Sequence, residues 1–176
     1  LYEPLMRAAG IDRNTSKTVT LALMYGQGVN GMAARIGHTV ESASQIRRQI
    51  LEAMPKCGPW IRKVQSVAED TGLVLTAGGR ILPCPPDWTN KALNWSIQGT
   101  AADVLCDAVC RLDEQGIGDS ILIGMHDELV VQGDEELSKE VQQVMVTPPT
   151  FLEKWAGRTP ILRTDRVSTG KSWAKV

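Results

Sequence analysis

The sequence from residue 12 to residue 26, DRNTSKTVTLALMYG, constrains the fold most strongly, because chemically distinct side chains recur in it with helical spacing. Every fourth position is occupied, in order, by Arg13, Lys17, Leu21 and Tyr25. On a helix that turns about 100° per residue, these side chains lie on one slowly winding stripe about 18 Å long. Gly26 follows at once and suits the left-handed conformation that ends helices. The stretch therefore predicts a helix over residues 12–26.

The chemical order along this stripe matches that of a nucleoside triphosphate. The stripe runs from two cations, through an aliphatic side chain, to an aromatic ring. A nucleoside triphosphate carries anionic phosphates at one end, a sugar in the middle and a flat base at the other end, over a similar length. The alternative is an ordinary solvated basic face, with Tyr25 at the edge of a core, since basic pairs at helical spacing are common.

The distribution of charge agrees with two sites of opposite sign. The 176-residue chain has a net charge of only −1, so overall basicity gives no support to nucleic-acid binding. Residues 1–70, however, carry nine Lys and Arg against six Asp and Glu, whereas residues 71–176 carry ten against fourteen. A basic front half and an acidic back half suit an anion site facing a cation site.

Cysteine usage and hydropathy favour a cytoplasmic protein. The four cysteines form no C-x-x-C pair and only two histidines are present, which argues against a zinc cluster or a disulfide framework. No apolar run approaches 18 residues and no charged-then-apolar leader is visible, so we expect no membrane partner. The chain begins at Leu1 and not at Met, which we interpret as a piece of something longer.

The remaining sequence predicts an α+β fold in which helices dominate. Periodic apolar positions and stop signals predict helices over residues 32–37, 40–54, 58–72, 87–114 and 134–146, with Thr39 as an N-cap and Gly72 as a stop. The sequence LVLTAGGRILPCP predicts a hairpin around Gly78 and Gly79. A last strand is predicted in PILRTDRV, residues 160–167.

A second hairpin is predicted over residues 120–132, with an acidic tip. Two β-branched apolar runs are separated there by His126, Asp127 and Glu128, which predicts a buried hairpin. Adjacent carboxylates at the end of apolar strands repel each other and lose solvation, so they require a cation. The alternative is a turn that is acidic because it is exposed to water.

Three separated motifs together resemble the C-terminal part of the family A DNA polymerases, the DNA polymerase I family. They are RNTSKTVTLALMYG at residues 13–26, NWSIQGTAAD at residues 94–103 and MHDELVV at residues 125–131. The resemblance covers essentially the whole chain, through GKSW near Trp173. It implies that residues 1–72 are fingers helices, including the nucleotide-binding helix 12–26. Residues 73–176 would form a partial palm with the acidic hairpin 120–132, and the protein would work in the cytoplasm of a bacterial or phage-infected cell.

The resemblance also implies roles for the first helix. Arg13 and Lys17 would bind the triphosphate of an incoming dNTP, and Lys17 would also protonate the departing pyrophosphate. Leu21 would lie against the sugar. Tyr25 would stack near the new base pair, and Gly26 beside it is assigned to DNA binding.

The other two motifs are assigned by resemblance to primer–template DNA and to metal. Asn94 and Gln98 would donate hydrogen bonds to the minor-groove edge, where all four base pairs present acceptors. His126 would steady the primer end. Asp127 would bind two Mg²⁺ ions, with Glu128 adding charge nearby, so both are expected catalytic and metal-binding residues.

The sequence departs from the family pattern at three places. Leu21 stands where many relatives have Phe or Tyr, which predicts altered speed and sugar discrimination. Asn90 stands where relatives often have Arg, which removes one template contact unless Lys91 substitutes. The D-Y-S-Q-x-E motif with the other metal-binding aspartate is absent and would lie upstream of Leu1. We therefore expect an isolated chain to be inactive without a missing N-terminal portion, on the same or a separate polypeptide.

Two rival functions remain open at this level. A single-subunit RNA polymerase shares the K-x7-Y-G helix and an H-D pair, although Glu128 and the QGTAAD segment favour a DNA polymerase. The non-catalytic rival is a nucleotide-binding or primer–template-binding module, a relic of a split gene.

Overall fold

The structure, a computed structural model, describes residues 2–168, which fold into two compact units. The first comprises residues 2–76 with 80–98, and the second comprises residues 77–79 with 99–168. The chain passes between the units at residues 76 and 77, 79 and 80, and 98 and 99, and the assignment of residues 1–72 to fingers and 73–176 to a partial palm stays a prediction. The helices are α1 (Glu3–Ala9), α2 (Arg13–Met24), α3 (Val29–Ile36), α4 (Val40–Ala53), α5 (Cys57–Thr71), α6 (Ala92–Glu114), α7 (Glu135–Val146) and α8 (Thr150–Ala156). The strands are β1 (Leu73–Leu75), β2 (Ile81–Pro83), β3 (Ile121–Met125) and β4 (Glu128–Val131).

These elements confirm the predicted α+β class. Each of the two sheets is a two-stranded antiparallel hairpin, β1 with β2 and β3 with β4. The helix signals are confirmed at particular residues: the Thr39 hydroxyl accepts from the Ser42 amide at 3.2 Å, and Gly72 ends α5 in the left-handed conformation. The helix predicted over residues 87–114 is instead a 3₁₀ helix, Pro86–Lys91, followed by α6. Among the described residues, no helix is both long and apolar enough to cross a membrane.

Helices α1 to α4 of the first unit pack around one apolar core. Its buried members are Leu5, Val19, Ala22, Leu23, Met32, Ile46 and Ile50. Helix α2 contributes three of them from one face, so its opposite face is left for solvent. A second core in this unit joins α5, the β1–β2 hairpin and the start of α6, through Ala68, Val74, Cys84 and Ala92.

The core of the second unit lies among the end of α6, helix α7 and one face of the β3–β4 hairpin. Its buried members are Ala108, Leu112, Ile117, Val141 and Val144. Arg111 stabilises this packing, because its guanidinium donates to the Val144 carbonyl at 3.1 Å and the Thr147 carbonyl at 3.0 Å. These two carbonyls lie at the C-terminal end of α7, where the Val144 carbonyl also accepts from the Thr147 amide, so the arginine adds a side-chain cap to that helix end.

The prediction that the acidic hairpin is buried was wrong. Ile121, Leu129 and Val131 pack against the core, but Leu122 is 57% exposed and Ile123 and Met125 are also exposed. A two-stranded hairpin has two faces, and among residues 2–168 the helices cover only one of them. The apolar runs predicted the two strands correctly, but the burial that they also predicted is wrong for one face of the hairpin.

The last predicted strand is also not formed. Residues 160–168 carry no regular secondary structure. Side-chain contacts hold this segment in place of a strand ladder: Gln142 donates to the Thr164 carbonyl at 2.9 Å, and Arg166 lies 2.8 Å from Glu135. The Arg166 hydrogen bond and charge lower the pKa of Glu135, which lies at the start of α7. The predicted ending near Trp173 lies outside the described residues.

Candidate nucleotide-binding helix and acidic hairpin

Helix α2 begins at a tightly bonded cap. One Asp12 carboxylate oxygen accepts from the backbone amides of Asn14 at 2.8 Å and Thr15 at 3.1 Å, and the Thr15 hydroxyl donates to the other oxygen. These hydrogen bonds, that of the Thr15 hydroxyl first, lower the pKa of Asp12. The cap fixes the first turn of the helix, which carries Arg13, and so orients the cationic end of the stripe.

Three of the stripe residues lie on the exposed face of α2, and the fourth, Tyr25, is its C-cap residue. Leu21 is 38% exposed and Tyr25 is 50% exposed. Arg13 and Lys17, which lie nearer the start of the helix, are exposed as well. The Arg13 guanidinium lies 5.8 Å from the centre of the Tyr2 ring. Lys17 makes no ion pair within residues 2–168, so its ammonium is available to an anion. The arrangement offers cations, a small apolar surface and a ring in the predicted order.

The aromatic end of the stripe is held against the next motif of the chain. The Gln98 side-chain amide donates to the Tyr25 hydroxyl at 3.3 Å, which orients the ring. Gly26 follows with φ +67°, and a Cβ built on it would collide with the Asn90 carbonyl oxygen. The end of α2 therefore abuts the 3₁₀ helix Pro86–Lys91 with no room for a side chain. Asn94 is half-buried in the first turn of α6.

We expect Gly26→Ala to cost more stability than an ordinary glycine substitution. The left-handed backbone alone costs a non-glycine residue about 1–2 kcal/mol, and the collision with Asn90 adds to it. We predict a loss of ~3 kcal/mol or more, equivalent to a fall in Tm of about 6–12 °C for a chain of this size. Gly10→Ala is the matched control, because Gly10 has φ +62° but open space around its Cβ position. Equal falls in Tm would contradict the close approach.

The acidic tip of the second unit is a two-residue turn. Met125 pairs with Glu128 at the end of the β3–β4 ladder, which leaves His126 and Asp127 as the turn residues. His126 has φ +55°, a conformation uncommon outside glycine, and it is the non-glycine residue with positive φ among those described. All three polar residues of the tip are exposed. The favoured two-residue hairpin turns have positive φ at this first central position, so the turn accounts for the conformation of His126.

The donors at this tip suit a hard cation but make only part of a metal site. Carboxylate oxygens are the ligands that Mg²⁺ prefers. Asp127 and Glu128 are adjacent in sequence, and no group of three or more His, Cys, Asp or Glu side chains that could hold a metal occurs among residues 2–168. Two carboxylates on one turn do not bracket two ions about 3.5–4 Å apart. The tip therefore fits one side of such a site.

Comparison with known sequences decides the family. Residues 4–175 match the sequence profile of the family described as DNA polymerase family A. The chain belongs to DNA polymerase family A. Its similarity to individual members is moderate. It is 35% identical to the DNA polymerase of Mycobacterium phage D29 over 119 residues, which cover 68% of this chain and 20% of that protein. It is 28% identical to DNA polymerase I of Pseudomonas aeruginosa over 152 residues, 78% of this chain and 17% of that protein.

A solved structure of a family A member has the same fold. It is described as the POL domain of Pol1 from M. smegmatis in complex with DNA primer-template and dNTP. The TM-score is 0.70 at 27% sequence identity, and the match covers 81% of this chain and 30% of that one. The chain thus spans about a fifth of the length of the curated family A relatives given above.

Sequence reasoning missed one cluster that the structure brings together near the end of α2. Trp88 and Trp95 lie with ring centres 5.6 Å apart, and the Lys91 ammonium lies 3.9 Å from the centre of the Trp88 ring. The spacing of Trp88 and Lys91 by three residues was the available signal. All three residues lie in the helix predicted over residues 87–114, where positions three and four apart share a face.

Proposed function

We propose that this chain takes part in template-directed DNA synthesis, the transfer of a nucleotide from a dNTP to the 3′-hydroxyl of a primer. Membership of DNA polymerase family A supports the general function. The observation that carries the proposal for this chain is the exposed stripe of α2, in which cations, an aliphatic group and a ring follow the order of a dNTP.

The cationic end of α2 binds the triphosphate. Arg13 and Lys17 are one helical turn apart, so both reach one chain of phosphates. The two cations stabilise the negative charge that develops on the leaving pyrophosphate, and Lys17 donates a proton to it. An arginine cannot perform the second task at neutral pH, because its guanidinium does not release its proton in proteins. The lysine is therefore the candidate general acid.

The other end of the stripe holds the base and the DNA. Leu21 presents an aliphatic surface to the sugar, and Tyr25 presents a ring to the base pair being formed. Gln98, which orients that ring, is also the candidate donor to the minor groove together with Asn94. The hydrogen bond between Tyr25 and Gln98 would therefore couple the contact with the new base pair to the contact with the primer–template.

Asp127 and Glu128 would hold one side of the metal pair, and His126 would steady the primer terminus. Bound Mg²⁺ would supply charge stabilisation at the attacking and leaving oxygens. The remaining carboxylate ligands would have to come from polypeptide other than these 176 residues. Primer–template DNA, dNTP and that additional polymerase portion are thus the proposed partners.

We expect the 176-residue chain alone not to extend a primer. The reason is the incomplete set of carboxylates at the hairpin tip. The measurement is extension of a labelled primer–template with Mg²⁺ and all four dNTPs. The comparison is the same chain joined behind an upstream family A segment that carries a D-Y-S-Q-x-E motif, here called the joined polymerase. Extension by the chain alone would contradict the proposed division of ligands.

The joined polymerase also separates the rival functions. A DNA polymerase incorporates deoxynucleotides in preference to ribonucleotides, whereas the reverse preference would indicate an RNA polymerase. No incorporation of either, together with tight binding of primer–template, would indicate the binding module.

A further inference from the structure

Two cysteines lie one turn apart on the exposed side of helix α6, in the second unit. Cys106 and Cys110 are both exposed, and both have free thiols. They belong to the continuous helix Ala92–Glu114, so a spacing of four residues places the two side chains next to each other on one face. Neither residue has a role in the proposed function. This surface therefore presents a pair of neighbouring thiols that the function leaves unexplained.

The helix holds the two thiols too far apart for a disulfide. Side chains four residues apart on a helix have Cβ atoms about 5–6 Å apart, whereas a disulfide requires about 3.5–4.5 Å. A metal ion between the two sulfur atoms spans a longer gap, because it adds two metal–sulfur bonds of about 2.3 Å each in place of one S–S bond. The spacing therefore suits an ion held between the thiolates.

The other two cysteines are less suited to binding an ion. Cys84 is 2% exposed and lies in the second core of the first unit, and Cys57 is half-buried. Burial raises the pKa of both thiols, which lowers the fraction of thiolate, the form that binds metals. Cys57 and Cys84 thus serve as internal references for the exposed pair on α6.

The number of ligands at the pair selects the class of ion. Within residues 2–168, no group of three or more His, Cys, Asp or Glu side chains could hold a metal, so a zinc site with four protein ligands does not fit this helix. Copper(I) is a soft ion that prefers sulfur ligands and is satisfied by two of them. The exposed carboxylates of Asp113 and Glu114, one turn after Cys110, favour a cation over an anionic thiol reagent.

We propose that Cys106 and Cys110 form a two-coordinate site for copper(I). Each thiol releases one proton and forms one Cu–S bond, and the copper stays in the +1 state throughout. The continuous helix already places the two ligands side by side, so little ordering is needed on binding. The site is independent of the Mg²⁺ expected at Asp127 and Glu128, because carboxylates select hard ions and thiolates select soft ones.

The test is competition for copper(I) between the 176-residue chain and ferrozine, a chelator whose copper(I) complex is coloured, under anaerobic conditions with ascorbate. We expect the wild type to remove one copper(I) per chain from ferrozine. Cys106→Ser and Cys110→Ser should each bind about a hundredfold more weakly or worse, because two ligands on one scaffold exceed the affinity of either alone by about 10²–10⁴. Cys57→Ser is the control and should bind as the wild type does.

A further variant moves one thiol without changing the number of thiols. Cys110→Ser combined with Glu114→Cys leaves two thiols on the same side of α6 but two turns apart, about 12 Å along the helix axis. Such thiols cannot share one ion, so this variant should bind as weakly as Cys110→Ser alone. Because the replaced side chains are exposed, the circular dichroism and Tm of every variant should match those of the wild type.

The proposal is overturned if the wild type removes no copper(I) from ferrozine. It is overturned equally if the single-serine variants, or the variant with the displaced thiol, retain the wild-type affinity, since the two thiols then do not act together. None of these measurements depends on primer extension. Failure of the copper(I) site and failure of the proposed function in the joined polymerase are therefore distinguishable.

Discussion

Asp127→Asn should lower DNA synthesis by the joined polymerase at least about a thousandfold. Asn keeps the size and shape of the side chain but removes the negative charge that would hold Mg²⁺. Charge stabilisation by a catalytic metal contributes several kcal/mol, and each 1.36 kcal/mol corresponds to a tenfold change in rate. Because Asp127 is exposed in a turn, its loss should leave the fold intact. The measurement is single-nucleotide incorporation under saturating dNTP, with the Tm of both proteins.

Asp119→Asn is the matched control for this prediction. Asp119 is an exposed carboxylate of the same unit, in the 3₁₀ helix just before β3. Its replacement should change the rate by less than about twofold. Full synthesis by the Asp127→Asn variant would support the non-catalytic function and refute the metal assignment.

Lys17→Ala should lower the rate of nucleotide incorporation about a hundredfold to a thousandfold in the joined polymerase. The variant loses both a phosphate contact and the proposed proton donor, and general acid catalysis alone contributes about 10²–10⁴. Lys17→Arg separates the two roles, because arginine retains the charge and does not release its proton. We expect Lys17→Arg to restore the KM for dNTP while kcat stays low.

Lys63→Ala serves as the control, since Lys63 is an exposed lysine on α5. It should leave both kcat and KM unchanged. If Lys17→Ala raised KM with no change in kcat, the lysine would bind the triphosphate without donating a proton. If it changed neither, the stripe would be the solvated basic face that its composition also allows.

The sequence predicts a local feature of the fold where the feature requires one particular type of residue. Asp12 accepts amides that a helix start leaves unpaired, and Gly26 occupies a left-handed position with no space for a side chain. The turn at His126 and Asp127 follows from a polar break between two β-branched runs. Each of these demands is met within a few residues of the chain, so the sequence pattern alone predicts it.

The features that the sequence did not predict depend on what covers a surface. Leu122 looks like a core residue because it is apolar and lies in a strand, but its exposure is decided by whether another element packs there. Residues 160–167 alternate enough to suggest a strand, yet a strand needs a neighbour, and side-chain bonds to α7 hold the segment instead. The pairing of Tyr25 with Gln98 spans 73 positions, which no local pattern specifies.

The decisive measurement is the preference of the 176-residue chain for dATP over deoxyadenosine, determined by equilibrium binding at constant ionic strength. If the cationic end of α2 holds the triphosphate, the wild type binds dATP more tightly than the nucleoside. The Arg13→Ala and Lys17→Ala variants then lose most of that preference without losing affinity for deoxyadenosine. A wild type that binds both equally, or variants that retain the full preference, would show that the triphosphate does not lie on this helix.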